Sequence, residues 1–172
     1  MHWDRIAAGH TLIVLEGCDG TGKTTLAADL QHRHGYDVIH SGRIPDPADK
    51  LAEQYRSILH SPGKIAFDRS FISELVYGPL RDGRSRLTPH QIAELTFLLA
   101  DRGGLLVHLT GRPSTLAARL KARDGYAPAM DRITTLLKTY QDVFTGLNGA
   151  APIVTVDTTA TSRHLAIPQP RR

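Results

Sequence analysis

The chain has 172 residues, 41% of them hydrophobic and 22% charged, the length and balance of one globular domain rather than of a disordered chain. No apolar run reaches the roughly 18 residues of a membrane span, and the first ten residues lack the apolar centre of an export signal, so a cytoplasmic protein with no membrane partner is expected. The formal charge of +4 suits a nucleotide, DNA or RNA, or equally a basic surface kept for solubility, and Cys18, the single cysteine, cannot close an intrachain disulfide.

Residues 11–17 form a short apolar run ending in glycine, which reads as a buried strand. Residues 23–34 follow as a helix with Leu26, Ala27 and Leu30 on one face, and 36–40 read as a second strand. Residues 48–59 carry Leu51, Tyr55, Ile58 and Leu59 at helical spacing. A third strand at 64–68 leads into a helix from about Ser70. Thr88 is an N-cap and Pro89 a first helical residue, opening a helix to about Ala100. Residues 105–109 form a fourth strand, 114–122 and roughly 131–147 are helical, and 152–156 form the last strand. The alternation predicts an α/β domain over residues 1–157, with a five-stranded parallel sheet and helices on both faces. Residues 158–172 lack periodicity and are expected to be a flexible tail. Ligands on such sheets bind outside the carboxyl ends of the strands, here Gly17, His40, Asp68 and Thr110.

Gly17-Cys18-Asp19-Gly20-Thr21-Gly22-Lys23-Thr24 fits G-x-x-x-x-G-K-[ST] between a strand and a helix. The glycines let backbone N–H groups turn inward as an anion nest, and the following helix adds its N-terminal dipole. Lys23 is expected on the β- and γ-phosphates of ATP and Thr24 on Mg²⁺, with Gly17, Gly20, Thr21, Gly22 and Thr25 completing the ATP-binding loop. Cys18 reads as a small filler rather than a reactive thiol. The chain has no N-K-x-D and is short for a motor ATPase, so a small kinase fits best. Such an enzyme needs cations for the moving phosphoryl group and its acceptor. Three clusters offer them: Arg43 past the second strand, Asp68-Arg69 at the end of the third, and Arg119, Lys121 and Arg123 before Asp124-Gly125-Tyr126. Arg119 and Arg123, four apart, share a helix face that suits a phosphate or a solvated helix end.

Residues 16–25 resemble the E-G-x-D-G-x-G-K-T-T loop of the thymidylate kinases and related P-loop nucleotide kinases. Gly42-Arg43-Ile44-Pro45 with residues 51–59 is similar to that family's R-x-P loop and L-A-x-x-x-R-x-x-L helix, and residues 68–77 to its D-R-x-x-x-S-x-x-x-Y. Residues 111–123 take the place of a short mobile lid. The resemblance implies that Arg69 and Arg43 bind the acceptor, that Asp68 organises metal or sugar, and that Asp19 sits by the transferred phosphoryl group or its Mg²⁺. Ser73 and Tyr77 would line the acceptor pocket, Tyr77 crowding a 2′-hydroxyl, while Arg119 and Arg123 supply the catalytic cations of the lid. A homodimer is also implied. Glu74 and Gly78 depart from the pattern where base and sugar are read, and residues 73–79 look more like phage-encoded members.

The expected reaction is Mg²⁺-dependent transfer of the γ-phosphoryl group of ATP to a thymidylate-like deoxypyrimidine monophosphate. The alternative is a hydroxyl acceptor, either a free nucleoside or the hydroxymethyl group of a modified pyrimidine in DNA. Asp68, Asp19 or His40 would then accept the proton, and Arg81, Arg84, Arg86, Arg171 and Arg172 would face DNA. A third alternative is a nucleotide-binding switch without turnover.

Overall fold

The computed structural model describes residues 3–41 and 48–160. The expected tail beyond Ala160, and Arg43 with its neighbours, lie outside the described residues. In chain order the elements are α1 (Trp3–Gly9), β1 (Leu12–Glu16), α2 (Lys23–His34), β2 (Asp37–His40), α3 (Ala48–His60) and β3 (Ile65–Asp68), then α4 (Phe71–Asp82), α5 (Pro89–Asp101), β4 (Leu105–Thr110), α6 (Pro113–Asp124), α7 (Met130–Gly146) and β5 (Ile153–Asp157). All strand pairs are parallel, in the order β2-β3-β1-β4-β5. The α/β expectation of five parallel strands is met.

Side-chain alternation along the strands builds two cores. Leu12 and Val14 point to the face covered by α3, α4, α5, α6 and α7, with Phe67, Phe71, Leu95, Leu99, Leu116 and Tyr140 packed there. Ile13 and Leu15 point to the opposite face, where Ala27, Leu30 and Val107 pack with Ala7 of α1. No sequence periodicity marks α1. Seven residues are too few for a helix to hold alone in water; docking holds this one, with Ala7 buried and its carbonyl 3.1 Å from the Tyr36 hydroxyl. Among the described helices, α1 and α2 supply the buried residues of that face.

Local signals agree with the tertiary arrangement elsewhere. Thr88 accepts from the Gln91 amide, and the Gln91 side chain reaches back to Thr88, a complete capping box with Pro89 at the first helical position. Arg56, in the motif resembling the thymidylate kinase helix, forms a two-pronged bond to Glu94, joining α3 to α5. Among the described residues, no helix is long and apolar enough to cross a membrane. Thr158, expected to begin a loose tail, instead continues the β4–β5 edge: its amide donates to the Thr110 carbonyl at 2.9 Å.

His108 lies in β4 with 1% exposure, stacked on Phe144 at 4.5 Å and 12° and on Tyr140 at 6.2 Å. Neither ring nitrogen has a hydrogen-bond partner among the described residues. Burial therefore penalises the imidazolium and lowers its pKa from 6.5 to about 4. Between those values the unfolded chain holds the extra proton, so stability falls as the pH drops through that window. Going from pH 7 to pH 5 should cost about 2 kcal/mol through this ring. His108→Phe, which keeps the stack, should remove that increment; urea titrations of both proteins at the two pH values measure it.

Candidate active site

The site forms where β1 and β3 end side by side, with Leu15 opposite Asp68 and His40 of β2 opposite Asp68 on the other side. Asp68 is 7% exposed, and its Oδ2 accepts from the Thr24 hydroxyl at 2.7 Å and lies 3.1 Å from His40 Nδ1. The next residue, Arg69, has φ 73°, a left-handed conformation that costs a non-glycine residue about 1–2 kcal/mol. Its amide still donates to the Leu15 carbonyl at 3.1 Å, so the chain turns sharply while tied to β1.

Glu16 holds this turn. Its fully buried carboxylate accepts from the Ser70 amide (2.6 Å), the Ser70 hydroxyl (3.0 Å), the Ser73 amide (3.2 Å), the Ser73 hydroxyl (2.7 Å) and the Tyr140 hydroxyl (3.2 Å). Two of these donors are backbone amides of the first turn of α4, where the chain's own carbonyls satisfy few N–H groups; the Ser73 amide is shared with the Ser70 carbonyl at 3.1 Å. Burial raises the carboxyl's pKa, against the lowering effect of Ser73, Ser70 and Arg69. Glu16→Ala would orphan this set and should cost at least about 3 kcal/mol, read as a fall in urea midpoint. A loss under about 1 kcal/mol would mean that the turn holds itself.

The phosphate loop takes the expected form. Gly17 has φ 149°, and a Cβ there would stand 2.1 Å from the Leu109 carbonyl oxygen, so no side chain fits between β1 and β4. Lys23 Nζ spans the loop, donating to the Gly17 and Cys18 carbonyls at 2.9 Å each. Burial and the neighbouring Arg69 lower its pKa. A cavity of about 230 Å³ is lined by Asp19, Gly20, Gly22, Lys23, Thr24, His40, Ser41, Asp68, Arg69 and Arg123. Thr21 is buried and ties its hydroxyl to the Cys18 carbonyl at 2.8 Å, so it offers the cavity no side chain. Thr25 is exposed and lines neither this cavity nor the next. Burial pushes the Cys18 thiol up to about 11, in keeping with a filler.

A second cavity, of about 310 Å³, meets the first at Asp19, Ser41 and Arg69. Ser73 and Tyr77 line it as expected, with Leu51, Tyr55, Ser70, Glu74, Arg81 and Arg86. The Arg69 guanidinium lies 5.1 Å from the centroid of the Tyr77 ring and is paired with Asp19. Phe71, two residues before Ser73, is core, edge-on to Tyr55 at 5.7 Å.

Three expectations need correction. Asp19, expected beside Thr24 as a metal ligand, engages Arg69 instead, and Asp68 is the carboxylate that reaches Thr24. Arg119 lines neither cavity: its guanidinium is fixed by the Gly20 carbonyl (3.2 Å) and by the Thr158 hydroxyl (3.0 Å) and carbonyl (2.8 Å). Arg123, one turn on, does reach the phosphate cavity while pairing with Asp124. Arg86, expected in a solvated DNA-facing loop, turns inward onto Glu74 at 2.8 Å. Sequence reasoning missed Arg81 and Arg86 as cavity residues. The available signal was Gly78, inside α4 with no turn to make: a Cβ there would meet the Arg84 carbonyl oxygen and Ser85 Cα at 3.0 Å, so the loop after α4 must fold back over that helix.

No protein-family model matches the chain. The chain is 31% identical over 137 residues to the SPbeta prophage-derived protein YorR of Bacillus subtilis (strain 168), covering 77% of this chain and 81% of that one. The crystal structure of YorR in complex with phosphorylated GDP superposes with a TM-score of 0.75 at 27% identity, over 86% and 85% of the two chains. Two more distant structures share the fold. Deoxyadenosine kinase from M. mycoides gives a TM-score of 0.56 at 17% identity over 85% of this chain and 89% of that one. A gluconokinase from Sinorhizobium meliloti 1021 gives 0.56 at 20% identity over 87% and 83%. With 31% identity to YorR over most of both lengths, the chain belongs to the family of YorR, and it has the P-loop kinase fold.

Proposed function

We propose that the protein is a phosphotransferase that moves the γ-phosphoryl group of ATP to the phosphate of a deoxynucleoside monophosphate. The observation that carries this reading is the meeting of the two cavities at the Asp19–Arg69 pair. A phosphate loop fills one side and an arginine-lined pocket the other, so donor and acceptor phosphates would approach across one guanidinium. YorR, the relative of known structure, holds a guanine nucleotide, which supports a nucleotide ligand here as well.

The donor's β- and γ-phosphates would lie on the loop amides and Lys23. Mg²⁺ fits the hard oxygen donors Thr24 and Asp68, which lie 2.7 Å apart at the cavity, and would neutralise phosphate charge there. Arg69 would hold the acceptor phosphate against its own charge repulsion, and Arg123 would cover the transferred group from α6. A phosphate acceptor is already ionised, so positioning and charge neutralisation suffice without a strong base. Tyr77, in the acceptor cavity beside Arg69, is the group expected to crowd a 2′-hydroxyl and favour deoxyribose. The thymidylate-like base rests on the sequence resemblance alone, and Glu74 in the cavity favours a different one.

A hydroxyl acceptor is the second reading, and the His40–Asp68 contact at the mouth of the phosphate cavity is the observation in its favour. Its DNA form loses a support, because Arg86 is engaged inside the fold.

Acceptor-dependent ADP release from ATP and Mg²⁺ tests the proposal. Deoxynucleoside monophosphates should be turned over, and nucleosides or DNA carrying hydroxymethyluracil should not. Lys23→Ala should abolish turnover, and Arg123→Ala should lower kcat roughly a hundredfold. Arg119→Ala should act on stability far more than on kcat. Turnover confined to hydroxyl acceptors, or ATP binding without turnover on any acceptor, would overturn the reading.

A further inference from the structure

The part of the acceptor cavity not shared with the phosphate loop carries an acid among arginines. Glu74, 7% exposed, accepts from the Arg86 amide at Oε1 (3.0 Å) and from Arg86 Nη2 at Oε2 (2.8 Å), with Arg81 Nη2 at 3.5 Å. Burial works to raise this carboxyl, but the bonds and charges from Arg86 and Arg81 overcome it and hold the group below the usual carboxylate range. Glu74 is therefore an acid in the cavity wall, with the guanidinium groups of Arg81 and Arg86 beside it. The Arg81 contact is too long to be a strong one, so each Glu74 oxygen has one short bond within the fold and keeps capacity to accept another. Leu51 and Tyr55 supply apolar wall to the same cavity.

Base edges differ in how they meet such a pair. Thymine and uracil offer one N–H flanked by two carbonyl oxygens, which would set a carbonyl against the second carboxylate oxygen. Adenine and cytosine offer the carboxylate a single amino group. Guanine alone presents two adjacent donors, N1–H and the 2-amino group, and beside them two acceptors, O6 and N7, for a guanidinium.

The geometry points to Glu74, held in place by Arg86, as the residue that selects the acceptor's base, and to guanine as the base selected. The inference rests on the nucleotide-acceptor reading above. Gly78 is part of the same device. A Cβ at that position would meet Glu74 Oε1 at 2.7 Å and the loop backbone of Arg84 and Ser85 at 3.0 Å. The bare helix surface is what lets residues 84–86 lie close enough for Arg86 to reach the carboxylate.

Deoxyinosine monophosphate differs from dGMP only in lacking the 2-amino group, so the wild-type protein provides the test without any substitution. Calorimetric Kd values for dGMP, dIMP and dTMP, with kcat/KM for each, should place dGMP ahead of both others by roughly ten- to a hundredfold. Glu74→Gln, which keeps the shape and one acceptor oxygen, should remove most of the gap between dGMP and dIMP. Equal affinity for dGMP and dIMP, a preference for dTMP, or a gap that survives Glu74→Gln would overturn the inference. Discriminating binding with no turnover on any of the three would support base selection and overturn the kinase reading. Turnover without a dGMP–dIMP gap would do the reverse.

Discussion

A carboxylate with no solvent around it occupies the end of the central strand, and the geometry of the site depends on it. Glu16 gathers the amides and hydroxyls of Ser70 and Ser73 and the hydroxyl of Tyr140, and so ties β1, the start of α4 and α7 to one point. Desolvating an acid is costly unless its oxygens are fully bonded. Here five donors meet two oxygens. The left-handed turn at Arg69 is sustained because the residues on either side are fixed: Asp68 belongs to β3, and Ser70 is bonded to Glu16. The Arg69 guanidinium, which lines both cavities, is aimed by backbone strain, and the strain is held by a buried acid.

The parallel sheet supplies the rest of the placement. Its register sets His40, Asp68 and the phosphate loop side by side at the carboxyl end of the sheet without help from any single contact, because β2 and β3 end level and β1 ends one residue beyond them. The two cavities follow from that end: one over the loop, the other between α3 and α4. Charge is arranged along the same line. Lys23, Arg69 and Arg123 crowd around the phosphate cavity, and their mutual repulsion is moderated by Asp19, Asp68 and Asp124.

Elements governed by local rules were legible in the sequence. The strand–glycine–helix pattern of the phosphate loop, the Thr88-Pro89 helix start and the five apolar strands all follow from neighbouring residues, and each stands within a residue or two of where it was expected. Elements that depend on long-range placement were not. The helix α1 exists because a sheet face needs covering. Arg119 and Arg123 share a helix face, yet one ties α6 to Thr158 while the other reaches the phosphate cavity, a split that sequence spacing does not determine. Glu16 was visible only as a letter in a motif, because its partners lie 54 to 124 residues away.

The loop crossing at Gly78 carries a consequence for how such a protein changes over time. A larger side chain there would lift residues 84 and 85 from α4 and draw Arg86 away from Glu74. The acid would then be left with only the longer Arg81 contact, a worse state than the intact arrangement. Positions 74, 78 and 86 thus form one heritable unit: drift at any one of them is penalised until the others follow. A lineage that changes its ligand by way of this pocket would have to cross an unfavourable intermediate or replace the loop as a block.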